Sequence, residues 1–219
     1  MASQKFGFVT VDPASGSGDQ AVNFSGEKHT GRLQRTINLT VTTNGGAKKA
    51  LVVNQAAAAE VVRSDSPNAS VQKTGGNVTI TGKSNSTKLT FAVTPAEENG
   101  LTLQLPVNYT AAGKTTANGA VIADDPGAAG EFVWSITISD VPTNVTIEEL
   151  TATLKVTAAG GQIANVTVTQ AAGDSTIELD KETINLDVNG TQQTVNVTSN
   201  DSWTWAQAAA RTVLRMMGR

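Results

Sequence analysis

Few residues of this chain have the types or spacing that catalysis requires. Its 219 residues contain one histidine, His29, in a polar loop between Ser25 and Gly31, where we expect a solvated side chain. The chain has no cysteine, so disulfides, thiolate nucleophiles and thiolate-bound metals are excluded. Because no Ser-His-Asp or Cys-His set can be assembled with a convincing third partner, we predict a protein that is not an enzyme and has no cofactor.

The acidic residues that could form a catalytic pair are immediate neighbours in sequence. They occur as Glu97-Glu98, Asp124-Asp125 and Glu148-Glu149. Successive side chains of a strand point to opposite faces, so these pairs do not supply the two facing carboxylates of a glycosidase. The stretch from Asp124 to Gly127 could hold Ca²⁺ in a loop, but it lacks EF-hand spacing. We interpret it as an ordinary turn and predict no metal site.

The three tryptophans, Trp134, Trp203 and Trp205, are the remaining residues with binding chemistry. A strand tryptophan in a β-sandwich usually belongs to the core. An exposed indole ring can instead stack on a sugar ring. Trp203 and Trp205 share one strand face by period 2, so they form either a core pair or a platform for sugars. We favour the core interpretation for all three and keep the platform as the alternative.

The clearest internal pattern is a stretch that occurs twice, at residues 39–57 and 154–172. The two copies align without a gap and are identical at nine of nineteen positions. Each has an alternating strand, a Gly-Gly turn and a second alternating strand that ends in Gln-Ala-Ala. The glycines allow the positive φ of a hairpin turn, and since no helix follows them they are not a phosphate cradle. Each copy is therefore predicted to be the closing hairpin of an all-β domain.

The composition agrees with an all-β protein. Apolar residues make up 39% of the chain, charged residues 16% and aromatic residues 4%, which is typical of small β-sandwich domains with Thr on their solvent faces. The net charge of −3 argues against a nucleic-acid-binding surface. No run of about 18 apolar residues could span a membrane. The N-terminus lacks a signal-peptide pattern, so we expect no export by the usual route unless a leader has been removed.

Changes in composition divide the chain into units. Residues 1–60 are predicted to form one β-domain, and residues 61–173 a larger one. Within the larger domain, residues 111–130 are rich in Ala, Gly, Asn and Asp and predict a long loop. Apolar alternation from Leu101 to Tyr109 predicts a long strand.

Residues 174–205 are predicted to begin a third, partial β-unit. Ile184-x-Leu186 followed by Val195-x-Val197 repeats the spacing of Val78-x-Ile80 followed by Leu89-x-Phe91, which flank a polar turn at residues 82–87. The shared spacing predicts the same opening hairpin in both units. No closing hairpin follows in the third unit.

The last residues, 206–219, are Ala-rich and predict a short basic helix or tail that carries Arg211, Arg215 and Arg219. An unclosed sandwich leaves apolar faces and strand edges bare. Three interpretations stay open: the end is truncated and frays, another chain completes the unit, or the helix itself covers the sheet.

Three stretches resemble BACON-type and related bacterial immunoglobulin-like modules. They are V-x-P-x-S-G-x-G-x-x-x-V from Val11 to Val22, V-x-V-x-Q-A-A at residues 166–172, and V-N-V-T-S-N-D-S-W-T-W at residues 195–205. Such modules occur in secreted Bacteroidetes proteins beside carbohydrate-active enzymes, and in phages as capsid decorations, head fibres and tail appendages. The resemblance implies tandem immunoglobulin-like β-sandwiches. At the level of sequence pattern, the chain is similar to a capsid auxiliary or head-fibre protein of a Bacteroides (crAss-like) phage.

The favoured hypothesis is therefore a non-enzymatic virion protein on the capsid exterior, synthesised in the host cytoplasm. Its expected partners are the major capsid protein or other virion proteins, in a homo-oligomeric or lattice-bound state, with neither nucleic acid nor membrane. The candidate contact residues are Trp203, Trp205, Arg211, Arg215 and Arg219. The alternative is a carbohydrate-binding or adhesion module of a Bacteroidetes surface protein that binds a bacterial glycan through its tryptophans. An enzyme with a site in residues 111–130 is the least favoured hypothesis.

Overall fold

The computed structural model describes residues 2–207, whose regular secondary structure consists of β-strands and one short 3₁₀ helix, in agreement with the all-β prediction. We call residues 2–60 the N-terminal unit. Its strands are β1 (Gln4–Phe6), β2 (Val9–Asp12), β3 (Asn23–Gly26), β4 (Arg35–Thr42) and β5 (Lys48–Gln55). The first three form one antiparallel sheet, and β4 and β5 form a separate hairpin.

Residues 61–173, the central unit, contain two larger sheets. The strands are β6 (Val62–Ser64), β7 (Asn68–Val71), β8 (Gly76–Ser84), β9 (Leu89–Pro95), β10 (Asn108–Ala111), β11 (Lys114–Ala117), β12 (Phe132–Val141), β13 (Leu150–Ala158) and β14 (Ile163–Gln170). A 3₁₀ helix, Pro126–Ala128, lies between β11 and β12. The first sheet has the order β11-β10-β12-β8-β6, and the second has the order β7-β14-β13-β9.

The two sheets of the central unit share one hydrophobic core. Trp134, Ile136 and Ile138 alternate inward along β12, and Leu154 and Val156 come from β13 in the other sheet. All five side chains are fully buried. Because a sheet with one apolar face must cover that face, these Val- and Thr-rich segments fold as two packed layers.

The repeated hairpins form as the sequence predicts. Leu39 pairs with Leu51 between β4 and β5, and Leu154 pairs with Val166 between β13 and β14. The turns place the second glycine of each pair at positive φ, 85° for Gly46 and 87° for Gly161.

The polar turn predicted at residues 82–87 is instead a crossing between the two sheets. Strand β8 extends to Ser84 in one sheet, and β9 lies in the other, so the two strands do not form a hairpin. Ser84, Asn85 and Ser86 are fully buried. Their polar groups bond to the protein rather than to water; the Ser86 hydroxyl, for example, donates to the Lys88 carbonyl over 2.8 Å. The prediction paired the strands before and after residues 82–87 as a hairpin because it took the polarity of these residues as the sign of an exposed turn, and this pairing is wrong.

The long strand predicted from Leu101 to Tyr109 is also wrong. Leu101 and Leu103 are buried in the core, but regular strand structure begins only at Asn108. Pro106 lacks the N–H that a ladder requires, which accounts for the interruption.

The loop predicted at residues 111–130 contains regular structure. Strand β11 pairs along β10, and the 3₁₀ helix follows. Ile122 is fully buried in the core between these two elements. The segment therefore packs against the core as part of the central unit.

Residues 174–207, the C-terminal unit, contain the two-stranded sheet of β15 (Ile177–Leu179) and β16 (Val197–Ser199). The predicted hairpin that used Ile184 and Leu186 is wrong, because both residues lie outside strands. The same i, i+2 apolar spacing occurs at Ile177 and Leu179, and these pair with β16.

Residues 206 and 207 have no regular structure, and the rest of the predicted helix, with Arg211, Arg215 and Arg219, lies outside the described residues. None of the helical structure in residues 2–207 is long and apolar enough to cross a membrane.

Close packing at Gly82 provides a test of the central core. A Cβ at this position would lie 2.1 Å from the Arg63 carbonyl oxygen and 2.4 Å from Cζ2 of Trp134. We expect Gly82→Ala to lower the free energy of unfolding by about 2 kcal/mol or more, as overpacking does. The measurement is denaturant unfolding followed by tryptophan fluorescence in a background in which Trp203 and Trp205 are replaced by Phe, so that Trp134 is the reporter. Gly45→Ala, whose nearest atom would be 4.0 Å away, is the control and should change stability little.

Candidate functional site

Hydrogen bonds beside the junction of the N-terminal and central units recur beside the junction of the central and C-terminal units. At the first junction, the Ser84 hydroxyl donates to the Val61 carbonyl at 2.7 Å. At the second, the Ser199 hydroxyl donates to the Thr176 carbonyl at 2.7 Å. The two serines are 115 residues apart in sequence, as are the two acceptors. The same offset separates the two repeated hairpins.

Asn85 joins three backbone groups at the first junction. Its side-chain oxygen accepts from the Val61 amide at 2.8 Å. Its side-chain nitrogen donates to the carbonyls of Ala59, at 2.9 Å, and Thr30, at 3.0 Å. Asn85 itself is fully buried. A primary amide suits this position because it offers one acceptor and two donors within a single planar group.

Asn200 makes the equivalent bonds at the second junction. Its oxygen accepts from the Thr176 amide at 2.8 Å, and its nitrogen donates to the carbonyls of Asp174, at 2.8 Å, and Val145, at 2.9 Å. Each of these partners lies 115 residues after its counterpart at the first junction. We call each Ser-Asn pair with its bonds a clasp. The two clasps hold consecutive units in the same local geometry.

The Gln of each Gln-Ala-Ala end has a matching role. Gln55 donates to the Glu27 carbonyl at 2.8 Å, and Gln170 donates to the Pro142 carbonyl at 2.7 Å. The two donors are 115 residues apart in sequence, and so are the two acceptors. The repeated Gln therefore ties the last strand of each hairpin to the segment that precedes the hairpin.

Ionic contacts supplement the first clasp. The Arg32 guanidinium bonds to the Asp125 carboxylate, and its Nε donates to the Asn85 carbonyl at 3.2 Å. The Arg32 amide donates to the Gly127 carbonyl at 2.8 Å. A Cβ at Gly31 would lie 2.5 Å from the Ala128 carbonyl oxygen, so only glycine allows this close approach.

The residues considered for catalysis have structural contacts in this arrangement. His29, predicted to be solvated, is instead half-buried, and its Nε2 donates to the Leu33 carbonyl at 2.7 Å. Asn144 donates to the Glu148 carbonyl at the same distance, 115 residues further on. Asp124 forms an ion pair with Lys114 and has a φ of 62°, consistent with the predicted turn.

Glu131 lies beside the first junction. The hydrogen bond from Arg63, together with its charge, holds the pKa of Glu131 below its ordinary value. The Glu131 amide donates to the Thr30 hydroxyl at 3.1 Å, which links the central unit to the N-terminal unit. In the part of the chain that the structure describes, no group of three or more His, Cys, Asp or Glu side chains could hold a metal ion.

The tryptophans differ in burial. Trp134 lies in the core beside Phe91, with ring centroids 5.5 Å apart, as predicted. The core prediction is wrong for Trp203 and Trp205, which are 45% and 69% exposed. Their rings are 5.9 Å apart and nearly perpendicular, at 83°. They line an open apolar cavity of about 280 Å³ together with Ile177, Leu179 and Val197. We call these five residues the C-terminal face.

A second apolar surface, which the sequence reasoning missed, lies on the N-terminal hairpin. It consists of Leu39, Val41, Leu51 and Val53, which we call the N-terminal face. Val41 is 69% exposed and Leu51 is 44% exposed. Their counterparts in the central unit are fully buried: Leu154, Val156, Val166 and Val168. The alignment of the two hairpins could have revealed this surface, because apolar residues at the same four positions need a second layer of the protein to bury them in both copies.

Comparison with known proteins bears on the family of this chain. The sequence model of the family described as Toastrack DUF4097 matches residues 36–206. No curated protein and no solved structure matches the chain significantly. The matched region begins in β4 and includes the Ser-Asn pair of each clasp.

The first clasp can be tested with Asn85→Ala, which leaves three backbone groups without their partner. We expect the free energy of unfolding to fall by about 2–4 kcal/mol, because each unsatisfied buried group costs about 1–3 kcal/mol. Chemical denaturation measures this loss, and hydrogen exchange at the Val61 amide should accelerate. Asn200→Ala is the matched control: its clasp is solvent-exposed, so the loss should be under about 1 kcal/mol. Equal losses would contradict the role assigned to the buried clasp.

Proposed function

We propose that this protein, which belongs to the Toastrack DUF4097 family, is a non-enzymatic structural protein that assembles through its exposed apolar faces. The family is a β-rich repeat fold, and this chain is all-β. The observation that carries the proposal is the pair of apolar faces that remain exposed within residues 2–207, one at each end of a well-packed central unit. Exposed contiguous apolar surface of this kind marks interaction sites.

The finer architecture that we propose is a row of immunoglobulin-like β-sandwiches. The two-layer central unit and the recurrence of its contacts every 115 residues support this interpretation. The stretch V-T-S-N, which carries the resemblance to BACON-type modules, contains Ser199 and Asn200 of the second clasp. The resemblance thus includes two residues whose side chains form hydrogen bonds beside the junction of the central and C-terminal units.

The proposed setting is the capsid exterior of a bacteriophage, where the protein would serve as a capsid auxiliary or head-fibre component. Its proposed partners are the major capsid protein or other virion subunits. The proposed contact residues are Trp203 and Trp205 of the C-terminal face, with Arg211, Arg215 and Arg219 beyond it. Support comes from the resemblance to phage modules and from a surface suited to assembly; fold by itself does not assign function.

Co-sedimentation tests the virion assignment. Purified capsids of a crAss-like Bacteroides phage should bring the full chain into the pellet, whereas capsids of an unrelated phage should not. Binding should saturate at a fixed ratio of chain to capsid subunit, because a lattice offers a fixed number of sites. Equal pelleting with both capsids, or with neither, would contradict this assignment.

A second candidate function, glycan binding, is favoured by the exposure of Trp203 and Trp205. Aromatic rings stack on sugars through the CH groups of the sugar. The perpendicular rings offer one indole face rather than a flat platform for two sugar units.

A glycan array of bacterial surface polysaccharides tests this alternative. If it holds, the full chain binds at least one glycan, and Trp205→Ala lowers that binding by about tenfold or more, as loss of an aromatic anchor does. Thr40→Ala, on an exposed strand position of the N-terminal unit, is the control and should bind normally. Absence of binding to every polysaccharide would remove this candidate.

A further inference from the structure

The two bare faces correspond to opposite sides of the central core. The C-terminal unit carries counterparts of β6 and of the end of β8: Ile177 pairs with Ser199 in the register in which Val62 pairs with Ser84. Val62 is buried in the central core, whereas Ile177 is exposed. The N-terminal unit carries the counterpart of the β13–β14 hairpin, which covers that core from the other sheet. Within the described residues, the C-terminal unit thus has counterparts of strands from the first sheet of the central unit, and the N-terminal unit has counterparts of the hairpin from the second sheet.

The tryptophans of the C-terminal face occupy the place of two core residues. In the central unit, Leu89 and Phe91 follow the Ser84-Asn85 pair at the start of β9 and are fully buried. Trp203 and Trp205 follow Ser199-Asn200 with one residue fewer between. Both lie outside the strands of the described residues, and their rings line the same cavity, so they lie on the same side of the unit.

The N-terminal hairpin has a free edge where the counterpart of β9 would lie. In the central unit, β13 pairs with β14 on one side and with β9 on the other, and Phe91 lies opposite Val156. Within the described residues, β4 pairs only with β5. Its outer edge therefore has unpaired backbone groups beside Val41, the counterpart of Val156.

A chain cannot cover its own C-terminal face with its own N-terminal face. The N-terminal unit contacts the central unit at Asn85 and Glu131, after the end of β8 and before the start of β12. The C-terminal unit contacts it at Lys73 and Val145, at the other end of the same two antiparallel strands. The nine residues of β8, at about 3.3 Å per residue, separate the two junctions by about 30 Å.

We propose that the C-terminal face of one copy docks on the N-terminal face of a second copy, with residues 203–207 added as an antiparallel strand along the free edge of β4. By the register of the central unit, Trp205 lies opposite Val41 of the second copy. Strand addition supplies backbone hydrogen bonds, and alternate side chains fill the apolar layer. The inference rests on the proposed assembly function and names the partner of the same surface. Because the two faces differ, the contact is head-to-tail and can propagate into a filament or close into a ring.

Light scattering on the full chain tests this contact with two blocked variants. Val41→Asp with Leu51→Asp blocks the N-terminal face, and Trp203→Asp with Trp205→Asp blocks the C-terminal face. We expect the wild-type mass to rise with concentration above the 22.6 kDa of one chain. Each blocked variant alone should stay at that mass. An equimolar mixture should reach twice the mass and no more, because one intact face remains on each chain.

Matched variants separate docking from folding. Thr40→Asp places the same charge on the opposite side of β4 and should leave association unchanged. Trp203→Leu with Trp205→Phe restores the residues of the central unit and should retain association. Tryptophan emission should shift to shorter wavelength as the wild type associates, because Trp203 and Trp205 become buried while Trp134 already is.

The outcomes distinguish this contact from the wider proposal. A wild type that stays at the mass of one chain at all concentrations overturns the inference, as does a blocked variant that dimerises alone or a mixture that stays monomeric. None of these results depends on capsids. Co-sedimentation with capsids but no self-association would support the virion proposal and rule out the head-to-tail contact. Self-association without co-sedimentation would support the head-to-tail contact and rule out the virion proposal.

Discussion

The apolar side of a β-hairpin has to be covered by a second layer, and the rest of this structure depends on that constraint. In the central unit, β13 and β14 bury Leu154, Val156, Val166 and Val168 against the opposite sheet. An isolated two-stranded hairpin is marginal in water, so this cover is what makes the unit stable. The hairpin of β4 and β5 has apolar residues at the same four positions, yet two of them are largely exposed. The same apolar positions form a buried core in one place and a partly exposed surface in the other.

The clasps determine how consecutive units are placed. Each uses one Asn amide to satisfy three backbone groups that strand ladders leave unpaired, and one Ser hydroxyl beside it. Buried polar groups are costly unless fully bonded, so a completely satisfied amide favours one arrangement over its alternatives. The buried Asn85 clasp is reinforced by Arg32 and Asp125, whereas the exposed Asn200 clasp is accompanied by the Lys73–Asp174 ion pair. The two junctions therefore share a geometry and differ in burial.

The polar residues that first suggest chemistry take part in this architecture. His29 and Asn144 bond equivalent carbonyls, Asp125 binds Arg32, and Glu131 binds Arg63. Their positions explain why these residue types occur where they do. The proposed assembly depends instead on the apolar faces that the units leave exposed and on the geometry in which the clasps hold the units.

The sequence alone determined the all-β class, the paired hairpins at residues 39–57 and 154–172, and the burial of Trp134, because period-2 alternation and Gly-Gly turns are local signals. It did not determine which strands are partners. Residues 82–87 are polar yet buried, since their hydrogen-bond partners come from segments distant in sequence, and β8 and β9 therefore lie in different sheets. Alternation also shows that Trp203, Trp205 and Val41 belong to apolar faces, but not what covers them. Only the tertiary structure decided that, because cover is supplied by a second layer, and this layer is complete over the central hairpin but incomplete over both faces within residues 2–207.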